Sequence, residues 1–255
     1  MKTEKIGFQV EINGIGVTAE YSGQAVKGIF LPLLERLTRM QREKGSRILV
    51  MLAAPPGAGK STLLSFLQKL SREHEGFTEV QTIGMDGFHR RQEYLLSHTV
   101  LRDGKEVAMV GIKGAPITFD LDKLAERIGR VAAGETVGWP AYDRMLHNPV
   151  EDAVTVDGEI VLLEGNYLLL EEEGWRELSA RADYTISVRA EEGFLRERLI
   201  DRRIKTGVEK EAAIRFVDFS DMPNVRLCLE KTKPADLELM VDGDGDYHCV
   251  RCVAE

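Results

Sequence analysis

The run Ala54-Pro-Pro-Gly-Ala-Gly-Lys-Ser61 joins a glycine-rich turn to one lysine and one hydroxyl. Residues of these types at this spacing hold phosphate. Glycine lets successive backbone amides point into one concavity, the Lys60 ammonium neutralises terminal phosphate oxygens, and the Ser61 hydroxyl suits a hard divalent cation. The apolar run Ile48 to Ala53 precedes the turn, and Leu63, Leu64, Phe66, Leu67 and Leu70 follow it at helical spacing. That setting, strand then loop then helix, is the one the phosphate-holding pattern requires. The pattern departs from its glycine-first form at Ala54, and Gly57 still permits an unusual backbone conformation in the next turn. Pro56, Gly57, Ala58, Gly59, Lys60, Ser61 and Thr62 are the expected nucleotide contacts, with Thr62 better placed to cap or pack.

Two acids follow apolar runs elsewhere: Asp86 after "VQTIGM" and Glu164 after "EIVLL". In an open parallel sheet ligands gather beyond the carboxyl ends of the strands, so both acids are expected beside the phosphate loop. One can accept a proton and the other can order a cation, and the sequence permits either assignment. A third cluster, Arg196, Arg198, Arg202, Arg203 and Lys205, sits on an expected helix from Gly193 to Lys205. Arg198 and Arg202 share a face at i, i+4.

Six segments, "APPGAGKST", "MDGFHRR", "GAPITFD", "PAYDRMLHNPV", "VLLEGNYLLL" and "RERLIDRRIKTG", in that order, resemble the uridine kinase and phosphoribulokinase superfamily, in its bacterial branch of nucleoside-, sugar- and pantothenate-kinase-like proteins. The resemblance runs from about Arg47 to Val241. It implies ATP and Mg²⁺ as cofactors, a small-molecule hydroxyl as phosphoryl acceptor, Asp86 as general base, and Glu164 with Ser61 at the metal. It further implies an Arg-rich lid around 193–207 whose Arg198 and Arg202 close on the phosphates, with Arg203 behind them. His89, Tyr142, Arg144 and His147 would line the acceptor pocket. Phe119 and Asp120 match a family element, although Asp120 before "LDKLAERI" is also a good helix N-cap. The N-terminal 46 residues and the stretch from Ser97 to Gly114 lie outside the resemblance.

The elements that must position these residues alternate strand with helix, the pattern of an α/β/α phosphate-loop fold around a mainly parallel sheet. Five strands are expected: Ile48 to Ala53, Val80 to Met85, Ile160 to Leu163, Tyr184 to Val188 and Leu237 to Val241. Helices are expected over Lys60 to Arg72, Leu121 to Ala133, Gly193 to Lys205 and Glu209 to Phe219. Residues 1–46 read as a β-hairpin about Asn13-Gly14 and a helix carrying Val26, Ile29, Phe30, Leu33, Leu34 and Leu37, appended to a core over 47–255. Asp103-Gly104 marks a second hairpin, and Pro140 and Pro149 are expected to hold the intervening residues as an extended loop.

A net charge of −8 argues against a nucleic-acid partner, which would be held chiefly through Lys and Arg. No apolar stretch reaches the ~20 residues of a membrane span, and three cysteines form no disulfide framework, so a cytoplasmic protein is expected. A homodimer through the N-terminal hairpin is left open. The acids of "DGDGD", Asp242 to Asp246, read as a hairpin turn: Tyr247 and Val253 replace the glycine and glutamate of a calcium loop. Cys249 and Cys252 should point to opposite faces of a strand. "TKPAD" misses the guanine-reading motif by one position at Asp236, which disfavours a GTPase. A kinase is the first functional expectation, a nucleotide-driven switch or assembly factor the alternative. A neutral hydroxylated acceptor is favoured over a phosphorylated one, with His89 to Arg91 able to serve an anionic group.

Overall fold

A computed structural model describes residues 5–12, 15–102 and 104–252. The expected turn at Asn13-Gly14, the turn residue Asp103 and the calcium-loop comparison at Val253 lie outside the described residues. Strands β1 (Lys5–Ile12) and β2 (Ile15–Ser22) pair antiparallel as a separate two-stranded sheet. Helix α1 (Gly23–Ala25) passes through a π turn (Val26–Phe30) into α2 (Leu31–Lys44), which Gly45 closes in the left-handed conformation at φ 65°. Glycine tolerates that geometry because it has no Cβ.

The central sheet runs β12-β11-β10-β3-β9-β4. Its members are β3 (Ile48–Ala53), β4 (Val80–Gly84), β9 (Ile160–Gly165), β10 (Tyr184–Ala190), β11 (Leu237–Val241) and β12 (Tyr247–Cys252). Five strands are parallel, as the sequence implied, and a sixth, β12, pairs antiparallel on the edge. β3 is buried at every position, which explains its unbroken apolar run. The first core lies between one sheet face and the hairpin, α2, α3 (Lys60–Glu73) and α6 (Glu192–Lys205). Phe8 and Tyr21 anchor the hairpin there, their rings 5.3 and 4.5 Å from that of Phe66, so the hairpin packs on the phosphate-loop helix and does not extend the central sheet. The second core, on the other face, is centred on Trp139, Tyr167, Phe88 and α5 (Leu121–Ala132). Asp120 caps α5, accepting from the Lys123 amide at 3.3 Å.

Several elements depart from expectation. The segment around Pro140 and Pro149 is a hairpin, β7 (Val137–Asp143) with β8 (Asn148–Val156), whose ladder shifts register at Pro140. Proline reads as a strand breaker, yet a bulged ladder accommodates its missing donor. The helix expected to end at Phe219 continues: α7 (Lys210–Phe216), a π turn (Val217–Asp221) and α8 (Met222–Lys231) follow without interruption. Pro223 fits because it stands in the first turn of α8. In the stretch outside the resemblance, α4 (Gln92–Ser97) leads into an antiparallel pair, β5 (Thr99–Arg102) and β6 (Lys105–Ala108).

Cys249 and Cys252 require a correction. A bulge at Val250, where Leu239 faces Cys249 while Glu238 faces Arg251, turns both cysteines to one side. They meet as a disulfide with Cα atoms 6.0 Å apart. The acids of "DGDGD" close the β11–β12 turn, Asp242 Oδ1 accepting from the amides of Asp244 and Asp246 at 2.9 and 3.0 Å.

Candidate active site

β3 occupies the switch point of the sheet, with β9 on one side and β10 on the other, and the loop it feeds opens at the sheet's carboxyl edge. Gly57 and Gly59 take φ of 85° and 90°. A side chain at Gly57 would press on the Leu195 carbonyl and Leu199 at 3.2 Å, so the loop is seated tightly against α6. From its place at the start of α3, Lys60 sends its Nζ to Asn166 Oδ1 at 2.6 Å and to the Ala54 carbonyl at 3.2 Å. Ser61 Oγ donates to Glu164 Oε1 at 2.6 Å. The paired register of β3 and β9 brings loop and acid together, since Leu52 stands beside Glu164.

Burial pushes the Glu164 carboxyl above the ordinary range, and the Asp86 charge adds to this, while Lys60 and the Ser61 hydroxyl oppose it. Asp86 itself sits in the 3₁₀ turn Met85–Phe88 after β4 and is exposed. Gly87 lets this turn lie against β7: any Cβ there would collide with the Pro140 carbonyl. Trp139 Nε1 donates to the Gly84 carbonyl at 2.8 Å, fixing the same junction.

His89 and Tyr142, two of the residues expected to line an acceptor pocket, lie beside the Asp86 turn. His89 Nδ1 lies 2.8 Å from the Asp86 carbonyl oxygen, its ring 4.0 Å from Phe119 and 5.3 Å from Tyr142. Desolvation lowers the His89 pKa, opposed by Asp86 and assisted by Lys113 and Arg144. Burial raises the Tyr142 phenol, which also feels Arg144 and Asp86. His147 enters through its backbone, its carbonyl accepting from Lys113 Nζ at 3.0 Å.

The arginines of α6 do not act as a set. Arg198 faces the phosphate loop, its guanidinium within 3.4 Å of where a Gly59 Cβ would stand, and it lies over Phe194. Arg202 is exposed and makes no ion pair among the described residues; desolvation lowers its pKa, opposed by Asp221 and Asp86 and assisted by Arg144 and Arg203. Arg203, expected as a nucleotide contact, pairs with Asp221 at 3.3 Å and stacks 3.5 Å over Phe216. Arg196 is held outside by Asp218 at 2.6 Å. Leu195, Leu199 and Ile200 bury one face of the helix, so α6 is anchored in the core.

Asn166, Lys113 and Asp221 were not singled out in the sequence. Asn166 stands two residues past Glu164 in "VLLEGNYLLL", and that place just after a strand-end acid was the available signal. Its carbonyl is backed by the Cys228 thiol, whose pKa burial pushes up to about 12, leaving it inert. Beside the loop, Ala58, Gly59, Thr62 and Arg198 open into a cleft of about 530 Å³ whose other walls are β2 and the turn before Tyr247.

No family model matches the chain. It is 39% identical to the uncharacterised protein YggC of Escherichia coli K12 over 94% of this chain and 98% of that one. A provisionally named uridine kinase of Schizosaccharomyces pombe is 32% identical over 76% of this chain and 83% of its own. A crystal structure of a provisionally assigned fructose transport system kinase from Silicibacter sp. TM1040 superposes with TM-score 0.70 at 30% identity, covering 80% of this chain and 98% of that one. With the phosphate loop, the strand-end acids and these relatives in register, the chain belongs to the uridine kinase-like superfamily of P-loop kinases.

Proposed function

We propose that this protein is an ATP-dependent phosphotransferase that moves the γ-phosphoryl group of ATP to a hydroxyl of a small metabolite of nucleoside, sugar or pantothenate type. The observation that carries this reading is the placement of two acids around one loop. Glu164 is bonded to Ser61 beside Lys60, while Asp86, whose charge reaches both Glu164 and Arg202, stands exposed on the acceptor side. A water-splitting switch has no use for a pocket of His, Tyr and Arg beyond its base.

In this reading the backbone amides of Gly57 to Lys60 hold the phosphates, Lys60 exchanges its carbonyl partners for phosphate oxygens, and Arg198 closes from α6. The cleft between the loop and the N-terminal hairpin receives the ribose and base. Asp86 orients the acceptor hydroxyl and takes its proton as the oxygen bonds to the γ-phosphorus and the bond to the β-phosphate oxygen breaks, releasing ADP. The oxygen pair Ser61 and Glu164 fits Mg²⁺, a hard ion that takes few protein ligands and completes its shell with phosphate and water. Bound there, the ion would neutralise charge on the transferring group.

The test is mass-resolved turnover of the purified protein with Mg-ATP and a pooled set of nucleosides, sugars, polyols and vitamins, beside Asp86→Asn. A compound that gains one phosphoryl group only with the unmutated protein establishes the reading. ATP consumed with no phosphorylated compound in either protein would reject it in favour of a switch.

A further inference from the structure

Around Asp86, three cations have no ion-pair partner among the described residues. On α6, Arg196 and Arg203 each have a carboxylate partner, Asp218 and Asp221. Arg202, Arg144 and Lys113 make no ion pair among the described residues. Arg202 shares the influence of Asp221 with Arg203, which already holds it, and of Asp86 with His89. A γ-phosphate arriving on the loop would draw Arg202 toward the donor. Lys113 and Arg144 have no such call on them, because they enter from the opposite wall: Lys113 from the residues just before Gly114, Arg144 from the tip of the β7–β8 hairpin.

Lys113 is half-buried, and loss of hydration lowers its pKa. Its Nζ has two neutral acceptors, Gln92 Oε1 at 2.9 Å and the His147 carbonyl at 3.0 Å, and stands 4.7 Å from the centre of the Tyr142 ring. A half-buried ammonium held by neutral acceptors and an aromatic face has no ion-pair partner of its own among the described residues, and an anion reaching it would be favoured by that charge. The charges of Lys113 and Arg144 both reach His89, and that of Arg144 reaches Tyr142. Lys113 Nζ thus stands over Tyr142, whose ring lies 5.3 Å from that of His89, and Arg144 follows Tyr142 by two residues at the tip of the same hairpin.

Given the kinase reading above, on which this inference rests, we propose that the acceptor is an anion, a hydroxylated metabolite bearing a carboxylate or phosphate group. Lys113 and Arg144 hold its charged end against Tyr142 and His89 while its hydroxyl faces Asp86. This reverses the sequence-based preference for a neutral acceptor, which was formed without Lys113.

The experiment begins by saturating the donor side with Mg-AMP-PNP, then titrates inorganic phosphate and, separately, malonate in a calorimeter. At least one anion should bind saturably, and Lys113→Gln and Arg144→Gln should each weaken it about tenfold while Mg-AMP-PNP affinity stays within about twofold. Lys113→Arg should restore binding if charge matters, which a tether of the chain would not require. Stronger binding of phosphate assigns a phosphate end, and stronger binding of malonate a carboxylate. No saturable binding of either anion, or binding indifferent to both substitutions, overturns the proposal. Turnover of matched pairs, glycerate against glycerol, gluconate against sorbitol and ribose 5-phosphate against ribose, overturns it as well if the neutral members are preferred. Failure of Mg-AMP-PNP itself to bind would instead remove the kinase reading and this inference with it.

Discussion

In the proposed reading, the donor and acceptor sides of the cleft are built on different principles. On the donor side one short loop between β3 and α3 supplies nearly everything, and its polar groups already have partners: Lys60 with Asn166, Ser61 with Glu164. The other side is assembled from four separated segments around Asp86, His89, Lys113, Tyr142 and Arg202, and its Lys113 and Arg202 make no ion pair among the described residues. A satisfied loop can serve many acceptors unchanged. An unsatisfied wall is where one acceptor is chosen over another, because specificity comes from groups that remain unpaired unless the right partner arrives.

The sharpest way to break this division is to remove one group from each side. Asp86→Asn should lower turnover by about 10²–10⁴-fold and leave Mg-ATP affinity nearly intact, as expected of a proton acceptor. Lys60→Ala should lower turnover by about 10²–10³-fold and also weaken Mg-ATP, measured by calorimetry beside steady-state rates. If Asp86→Asn lost nucleotide affinity to the same degree, the two sides would be one site.

The next effect is on the scaffold that aims Asp86. Gly87→Ala forces a methyl group into the Pro140 carbonyl, and overpacking of this kind costs about 1–3 kcal/mol. Differential scanning calorimetry should show a fall of about 2–4 °C per kcal/mol in a chain of this size. Turnover should drop with ATP affinity retained, since the displaced turn carries Asp86 and no loop residue.

Neighbouring arginines on α6 offer a finer separation. Arg202→Ala should reduce turnover with little change in melting temperature, because Arg202 has no ion pair among the described residues. Arg203→Ala should instead lower the melting temperature, as it leaves Asp221 without its partner and Phe216 uncovered. Equal kinetic losses in the two variants would show that both reach the phosphates.

The smallest effect concerns pH. The Glu164 carboxyl is raised in the folded chain, so between its unfolded and folded pKa the native state holds more protons and stability falls as pH rises. Glu164→Gln should therefore melt higher than the unmutated protein near neutral pH. The advantage should shrink as pH drops toward the ordinary carboxylate pKa, about 4.3. Melting curves between acid and neutral pH check this, and an advantage that grew in acid would contradict the burial argument.

Where the chemistry lies within one continuous stretch, the residues announced it. The phosphate loop is legible because glycine positions, a lysine and a hydroxyl must be adjacent, and β3 and α3 flank it with distinct hydrophobic periods. The positions of Asp86 and Glu164 were legible because an acid at the end of a buried strand is conspicuous. Asp236, one place late for a guanine motif, turned out to accept from Thr185 at 2.7 Å, a contact that ties β11 to β10. Arg198, Arg202 and Arg203 looked alike, and only the packing of α6 separated a side chain against the phosphate loop, an exposed cation and one paired with Asp221.

The sequence by itself determined the fold class and the positions of the glycine-rich loop and of two strand-end acids, since each follows from local periodicity or from residues adjacent in the chain. Tertiary structure decided what those acids face. Lys113 reaches Tyr142 only because a stretch outside the family resemblance folds back across the β7–β8 hairpin. The N-terminal hairpin joins the donor cleft only because Phe8 and Tyr21 seat it on Phe66. Such contacts join residues far apart in the chain, so hydrophobic pattern and turn chemistry, which act over a few residues, carry no record of them.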